Sequence, residues 1–213
     1  MIQTKKDLRF YIAADRIMNG YKPYRNLSSL LKETLAIGGS KTIIIKYLLH
    51  LRRYAYYYNT NRHSLWYNFL MVYEHWRLSK YAIKAGFSIG QNALEYGVVI
   101  PHYGTIVVNE NVRIGPFAVL HTSTCIAGGG KNIGKGFYLS SGSQIVGELT
   151  LGDNVTVAAH SLVNQSFADN ILLVGSPATI KRNKYLSWYV RDGQRFEDRV
   201  ERVNKLKIEM GII

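Results

Sequence analysis

The sequence predicts a mainly β chain: a parallel β-helix of about four coils, preceded by an α-helical region and followed by a C-terminal helix. Three observations predict it. A six-residue recurrence of aliphatic residues fills the middle of the chain and fits neither the helical nor the simple strand period. The residues before it carry helical spacing with stop signals, and those after it form an amphipathic helical pattern. These divide the 213 residues into a helical region over 1–86, a β-helix over 87–182 and a helical tail over 183–213.

Taken in order, Lys5–Met18 places Leu8, Tyr11 and Ile12 at helical spacing, and Asn19-Gly20 followed by Pro23 ends the helix. Helical stretches follow near 41–58, with Ile44, Leu48, Leu51 and Ala55 on one face, and near 64–84, with Phe69, Tyr73 and Trp76 on one face. The polar run Asn59–His63 separates them. The repeat then places aliphatic residues at Leu94, Ile100, Val108, Ile114, Leu120, Ile126, Ile133, Leu139, Ile145, Leu151, Val157 and Val163. Each step is six residues, except for two extra before Val108 and one extra before Ile133. Four residues after most of these stands a small or aliphatic residue, and turn formers such as Gly115-Pro116 and Gly152-Asp153-Asn154 lie between. Each hexad is a short strand plus a turn, and three close one triangular coil. Successive coils stack at roughly the 4.8 Å strand spacing, and the exposed ends need caps. The flanking helical segments are placed to supply them. In the tail, 184–210 reads as one amphipathic helix, with Phe196, Val200 and Val203 on its apolar face.

Composition narrows the function classes. The net charge of +13 is uneven: residues 1–86 carry +11, the repeat is neutral and the tail carries +2. A basic field of that size attracts phosphates or anionic lipid. No nucleic-acid-reading motif accompanies it, so nucleic acid is not the expected partner. The bland reading of these helices is packing on the β-helix and on other protomers, with Lys and Arg stems reaching outward. The sharper reading is peripheral contact with an anionic membrane. The single cysteine, Cys125, fits a reducing compartment and a small core filler. The N-terminus shows no signal-peptide pattern, and no apolar run approaches the ~18 residues a spanning helix needs; a cytoplasmic location is expected. No Cys/His cluster has ligand spacing, so no metal is expected. Of the histidines, His50, His63 and His75 read as surface or protomer contacts, and His160 as an exposed turn residue. Gly86-Phe-Ser88-Ile-Gly90 copies a hydrolase elbow and 129–135 nearly copies a phosphate loop, but neither stands before a helix.

Three stretches carry a family resemblance: Ile100–Asn109 (IPHYGTIVVN), the pair Leu139–Gly147 (LSSGSQIVG) and Val157–Val163 (VAAHSLV), and Gly175-Ser-Pro-Ala178. The chain resembles the left-handed β-helix, hexapeptide-repeat acyltransferases. Within them it resembles the serine acetyltransferase group, and most closely the branch found among bacterial surface-polysaccharide acetyltransferases. The resemblance covers 87–182 strongly and the N-terminal helices weakly. It implies a homotrimer with acetyl-CoA bound between neighbouring β-helices, and acetyl transfer to a hydroxyl of a small molecule or glycan. His102 matches the family's general base; a histidine can accept and return a proton near working pH. Ser141 and Ala159 match positions where the backbone meets the pantetheine arm. Lys181 and Arg182 match basic residues that pair with the CoA phosphates.

Two departures redirect the substrate reading. Serine acetyltransferases carry an aspartate directly before this histidine, where the chain has Pro101, and a second histidine in a longer insertion, where the chain has only Ala127–Asn132. A serine ammonium thus loses its anionic partner, which favours a neutral sugar hydroxyl. The acid that orients the catalytic histidine aligns near Phe87 or Ser88, neither acidic. From register alone, Ile100 and Leu120 occupy the same face of successive coils, so His121 projects near His102 and is a second candidate catalytic residue. The leading reading is a sugar O-acetyltransferase of surface-polysaccharide synthesis. Its rivals are serine O-acetyltransferase, N-acetylation of an amino sugar, and a non-catalytic trimeric scaffold.

Overall fold

The computed structural model describes residues 1–35, 39–60 and 64–212. His63 lies outside them. The middle of the chain is a three-faced parallel solenoid. Its first face stacks β1 (Phe87–Ile89), β2 (Ile106–Val108), β5 (Thr124–Ile126), β8 (Gln144–Ile145) and β11 (Leu162–Val163). The second stacks β3 (Val112–Ile114), β6 (Lys131–Ile133) and β9 (Leu149–Leu151), extended by bridges from Leu94 and to Phe167. The third stacks β4 (Val119–Leu120), β7 (Tyr138–Leu139), β10 (Thr156–Val157) and β12 (Leu172–Gly175), with Val99 bridged to Val119 below them. All these pairings are parallel.

The twelve regular hexads account for four coils, and each of their aliphatic residues is buried. The stack reaches about five turns because β1 forms a rung before the first hexad, and Phe167 and Leu173 complete one after the spacing breaks at Val163. Corners turn through left-handed residues in columns: Gly97, Phe117, Gly136, Asn154 and Asn170 at one corner, and Ser123, Gly142 and His160 at another. Glycine and asparagine tolerate this conformation, which explains the turn formers in the repeat.

The helices are α1 (Lys5–Met18), α2 (Leu27–Thr34), α3 (Ser40–Asn59), α4 (Leu65–Ala85), α5 (Trp188–Arg191) and α6 (Gln194–Glu209). Ile44, Tyr47, Leu48 and Leu51 of α3 join the solenoid's inner core and close its first coil. The predicted face of α3 is therefore the buried one. The other end is closed by β13 (Ala178–Arg182), which turns back antiparallel on β12 and buries Ala178.

The tail differs from expectation in two ways. It forms two helices, broken at Asp192-Gly193, where Gly193 has φ 103°. It also lies along the side of the solenoid rather than over its last coil. Trp188 is fully buried and donates its indole N–H to the Phe117 carbonyl at 2.8 Å. Val200 and Val203 pack with Ile17, Met18 and Val119 in a second core between the third face and the helices.

Asp15 and Arg52 lock the helices to the first coil. Arg52 donates through Nε to Asp15 at 2.8 Å and through its other nitrogens to the carbonyls of Leu94 and Glu95. Asp15 also accepts the N–H groups of Gly97 and Val98 at 2.8 and 3.1 Å. Burial pushes the Asp15 carboxyl up and Arg52 pulls it back. Surrounded by donors, the carboxylate is ionised, and it holds the guanidinium charged. His50 is likewise interior, contrary to the surface or protomer contact expected for it. It is 2.6 Å from Glu74 and stacked on Tyr81, which ties α3 to α4. Its outward-looking polarity in the sequence is satisfied by a buried acid on the next helix.

Candidate active site

His102 sits on the turn that leads from Ile100 at the start of the third face into β2. Val99 bridges Val119, and Leu120 pairs with Leu139, which pairs with Val157. Thr122, Ser141 and Ala159 stand two residues onward from Leu120, Leu139 and Val157, and His102 holds the same offset from Ile100, just before the two-residue insertion that sets Gly104 against Thr122. They form one corner column parallel to the solenoid axis. Neighbouring turns bond along it, with the His160 N–H donating to the Ser141 carbonyl at 3.0 Å. Gly104 has no room for a Cβ, which would lie 2.0 Å from Thr122 Oγ1. That glycine lets the His102 turn settle onto the next rung.

The side chain of His102 is exposed and has no hydrogen-bond partner among the described residues. His121, one residue earlier on the next rung, is half-buried. Its Nε2 is 2.8 Å from the Tyr138 hydroxyl, with the rings 5.1 Å apart. Burial lowers the His121 pKa, the charge of His102 lowers it further, and Asp192 opposes both. The two imidazoles therefore lie near enough for the charge of one to act on the other. Burial, with Asp192 acting in the same direction, raises the Tyr138 pKa, so its hydroxyl stays protonated. The Arg191 guanidinium lies 4.9 Å from the Tyr138 ring centroid. With Nε2 occupied by Tyr138, any contact of His121 with a substrate falls to Nδ1.

Beside His102 opens a cavity of about 330 Å³. Its walls come from Val99–His102, the C-terminal end of α1, the N-terminal parts of α3 and α6, and Tyr21. Lys41, Arg195 and Arg199 line it, and no acidic side chain does. A larger open groove of about 510 Å³ runs along the second face and holds none of the candidate residues.

Ser141 and Ala159 share the corner column of His102, with Ala159 exposed. Lys181 and Arg182 are exposed on β13, where Arg182 pairs with Leu172 and the strand runs away from that corner. Cys125 is the outward-facing centre of β5 rather than a core residue, because its neighbours Thr124 and Ile126 take the buried positions. The elbow-like run at Gly86 is the start of β1. His160 is an exposed turn residue and His75 is exposed. Among the described residues no cluster of His, Cys, Asp and Glu could hold a metal ion. No helix there is long and apolar enough to cross a membrane. Sequence reasoning missed Tyr138, Lys41, Arg195 and Arg199. Arg195 carries a signal that could have found it: it occupies the first turn of α6, where cations are disfavoured.

No protein-family model matches the chain. Among curated proteins, it is 38% identical over 107 residues to the putative colanic acid biosynthesis acetyltransferase WcaB of Escherichia coli K12, covering 47% of this chain and 63% of the relative. It is 32% identical over 93 residues to a serine acetyltransferase of Buchnera aphidicola, covering 39% of this chain and 34% of the relative. The chain thus spans between a third and just under two thirds of these relatives. Among solved structures, it superposes on the Neisseria gonorrhoeae serine acetyltransferase in complex with serine with a TM-score of 0.57 at 21% identity, covering 84% of this chain and 70% of that one. A serine acetyltransferase in complex with CoA gives a TM-score of 0.54 at 19% identity, covering 79% and 67%. The fold is that of the hexapeptide-repeat, serine acetyltransferase-like β-helix, and these named homologues and structural neighbours are acetyltransferases.

Proposed function

We propose that this chain is an acetyl-CoA-dependent O-acetyltransferase acting on a sugar hydroxyl in surface-polysaccharide synthesis, with His102 as general base. The observation that carries the reading is the corner column. It presents one exposed imidazole at the mouth of a cavity, with the small residues Ser141 and Ala159 continuing from it as a ledge along the axis. The ledge suits the pantetheine arm of acetyl-CoA, whose carbonyl then lies at His102. The acceptor hydroxyl gives its proton to the imidazole as its oxygen adds to the thioester carbonyl. When the carbon–sulfur bond breaks, the imidazole returns that proton to the departing sulfur. No enzyme-bound acyl group is formed. His121 sits within reach to orient the acceptor or thioester, and Lys181 and Arg182 offer charge to the CoA phosphates.

A sugar is favoured over serine because Pro101 stands beside His102 and no carboxylate lines the cavity, so a serine ammonium has no partner. The WcaB likeness points the same way. Serine O-acetylation is the second reading, favoured by the structural likeness. In the sugar reading the protein works as a homotrimer with sites between subunits. It also touches anionic lipid through α4, whose Trp66, Phe69 and Trp76 are exposed although they share an apolar face.

The test is thiol release from acetyl-CoA by wild-type and His102→Ala protein, with serine, sugars and nucleotide sugars as acceptors. Turnover with a sugar that falls by about 10²–10⁴-fold in the variant is expected. Turnover with serine alone transfers the assignment to the second reading, and undiminished turnover in the variant removes His102 from its role.

A further inference from the structure

The cavity beside His102 has an electrostatic design that acetyl transfer to a neutral sugar does not use. Two helices begin at its wall, α3 and α6, and both N-caps are glycines (Gly39 and Gly193) with no side-chain cap. A helix N-terminus is the positive end of the macrodipole, where acidic residues are favoured and basic ones are not. The first turn of α3 has no acid and puts Lys41 into the cavity lining, and that of α6 puts Arg195 there, while its one acid, Glu197, does not line the cavity. Arg199, one turn further along α6, adds a third. One of its nitrogens donates to the Met18 carbonyl at 2.9 Å, which fixes the guanidinium at the end of α1. Among the described residues no carboxylate pairs with Lys41, Arg195 or Arg199, and burial together with the charges of Arg195 and Arg202 depresses the Arg199 pKa. Arg195 and Arg199 lie over the Phe196 ring at 4.7 and 5.2 Å from its centroid, so the three cations share a lining without an acid, which an anion would join.

We propose that this cavity binds a phosphate or diphosphate group carried by the acceptor sugar, so that the acetylated hydroxyl belongs to a phosphate-linked sugar. The inference rests on the proposed role of His102. The CoA phosphates are not the anion in question: in acetyl-CoA the pantetheine arm separates them from the thioester, and the thioester must lie at His102. A serine carboxylate supplies one charge for three cations and brings an ammonium with it. A cavity of about 330 Å³ lies near the lower end of ligand pockets, which run from about 300 to 1,000 Å³. It suits one sugar ring and its phosphate, with the remainder of the donor group outside.

Direct binding separates this inference from the catalytic one. Glucose, glucose 1-phosphate, UDP-glucose and a short-chain prenyl diphosphate-glucose are titrated calorimetrically into the full-length protein and into its Lys41→Gln/Arg195→Gln variant, each with and without CoA. The expected result is binding of the phosphorylated probes, at least tenfold tighter than glucose, weakened at least tenfold in the variant and not displaced by CoA. Tighter binding of UDP-glucose or of the prenyl diphosphate-glucose tells whether a nucleotide or a lipid carries the phosphate. Equal affinity for glucose and its phosphate, displacement by CoA, or indifference to the double substitution overturns the proposal. Phosphate-dependent binding by a protein whose thiol release ignores His102→Ala would sustain the anion site while defeating the catalytic reading. Circular dichroism of the variant guards against misfolding, and Arg195→Lys, which keeps the charge, restores most of the affinity.

Discussion

His121 meets Tyr138 through Nε2, and its pKa is held down by burial and by the charge of His102. The folded state thus favours the neutral imidazole. Its contribution to stability is complete above the ordinary histidine value of about 6.5 and is lost as pH falls through the lower folded value. NMR titration of the full-length protein is expected to place the His121 midpoint below 6.5, and His102→Gln is expected to raise it. A midpoint that ignores His102 would separate the two imidazoles. His102 itself was legible in the sequence, because the hexad register, the two-residue insertion and Gly104 all mark its turn. Tyr138 was not. It occupies an outward strand position, about which a rule for inward residues says nothing. His50 was misplaced for a related reason: its acid, Glu74, comes from the next helix, and pairings between helices leave no trace in spacing.

Among the elements, α1 was legible to the residue. Thr4 and Asp7 form a capping box at its start, and Asn19-Gly20 ends it. The short α2 has no long period to detect. The break at Asp192-Gly193 was hidden because the charged pattern continues across it. The junction of α1, α3 and the first coil depends on Asp15 and Arg52, both 1% exposed. Removing one member leaves a buried charge without its partner, at a cost of about 3–5 kcal/mol. Arg52→Met is expected to lower the unfolding free energy in urea by that amount. The double variant Asp15→Asn/Arg52→Met is expected to lose less than the single one, since no lone charge remains. Equal losses would show that shape, rather than charge, holds the junction.

At the scale of the whole molecule, charge and exposed apolar surface coincide. The only acid in α4, Glu74, is buried against His50 and Arg53, whereas Arg77, Lys80 and Lys84 accompany the exposed Trp66, Phe69 and Trp76. Two such faces from copies of the chain would bring like charges together, while an anionic bilayer accepts both the rings and the cations. The full-length protein is expected to pellet with phosphatidylserine-containing vesicles and not with neutral ones. Trp66→Ser/Phe69→Ser/Trp76→Ser is expected to abolish pelleting without changing the melting temperature. Pelleting that is unchanged in the variant, or self-association that vanishes with it, would give the face to another partner. The segment's charge was legible from composition. That its aromatic face points away from the β-helix was not, since periodicity reveals a face but not what covers it.

The corner column has a further consequence. Rungs of the solenoid come only in whole numbers, each adding about 4.8 Å along the axis. The reach from His102 to the closing strand β13 is therefore graduated, like the marks on a ruler. A side chain can tune what the ledge touches, but its length changes only when a complete coil of about eighteen residues is gained or lost. The length of the ledge and the chemistry beside His102 are thereby set by separate parts of the chain: one by the count of repeats, the other by the helices that surround the first coil.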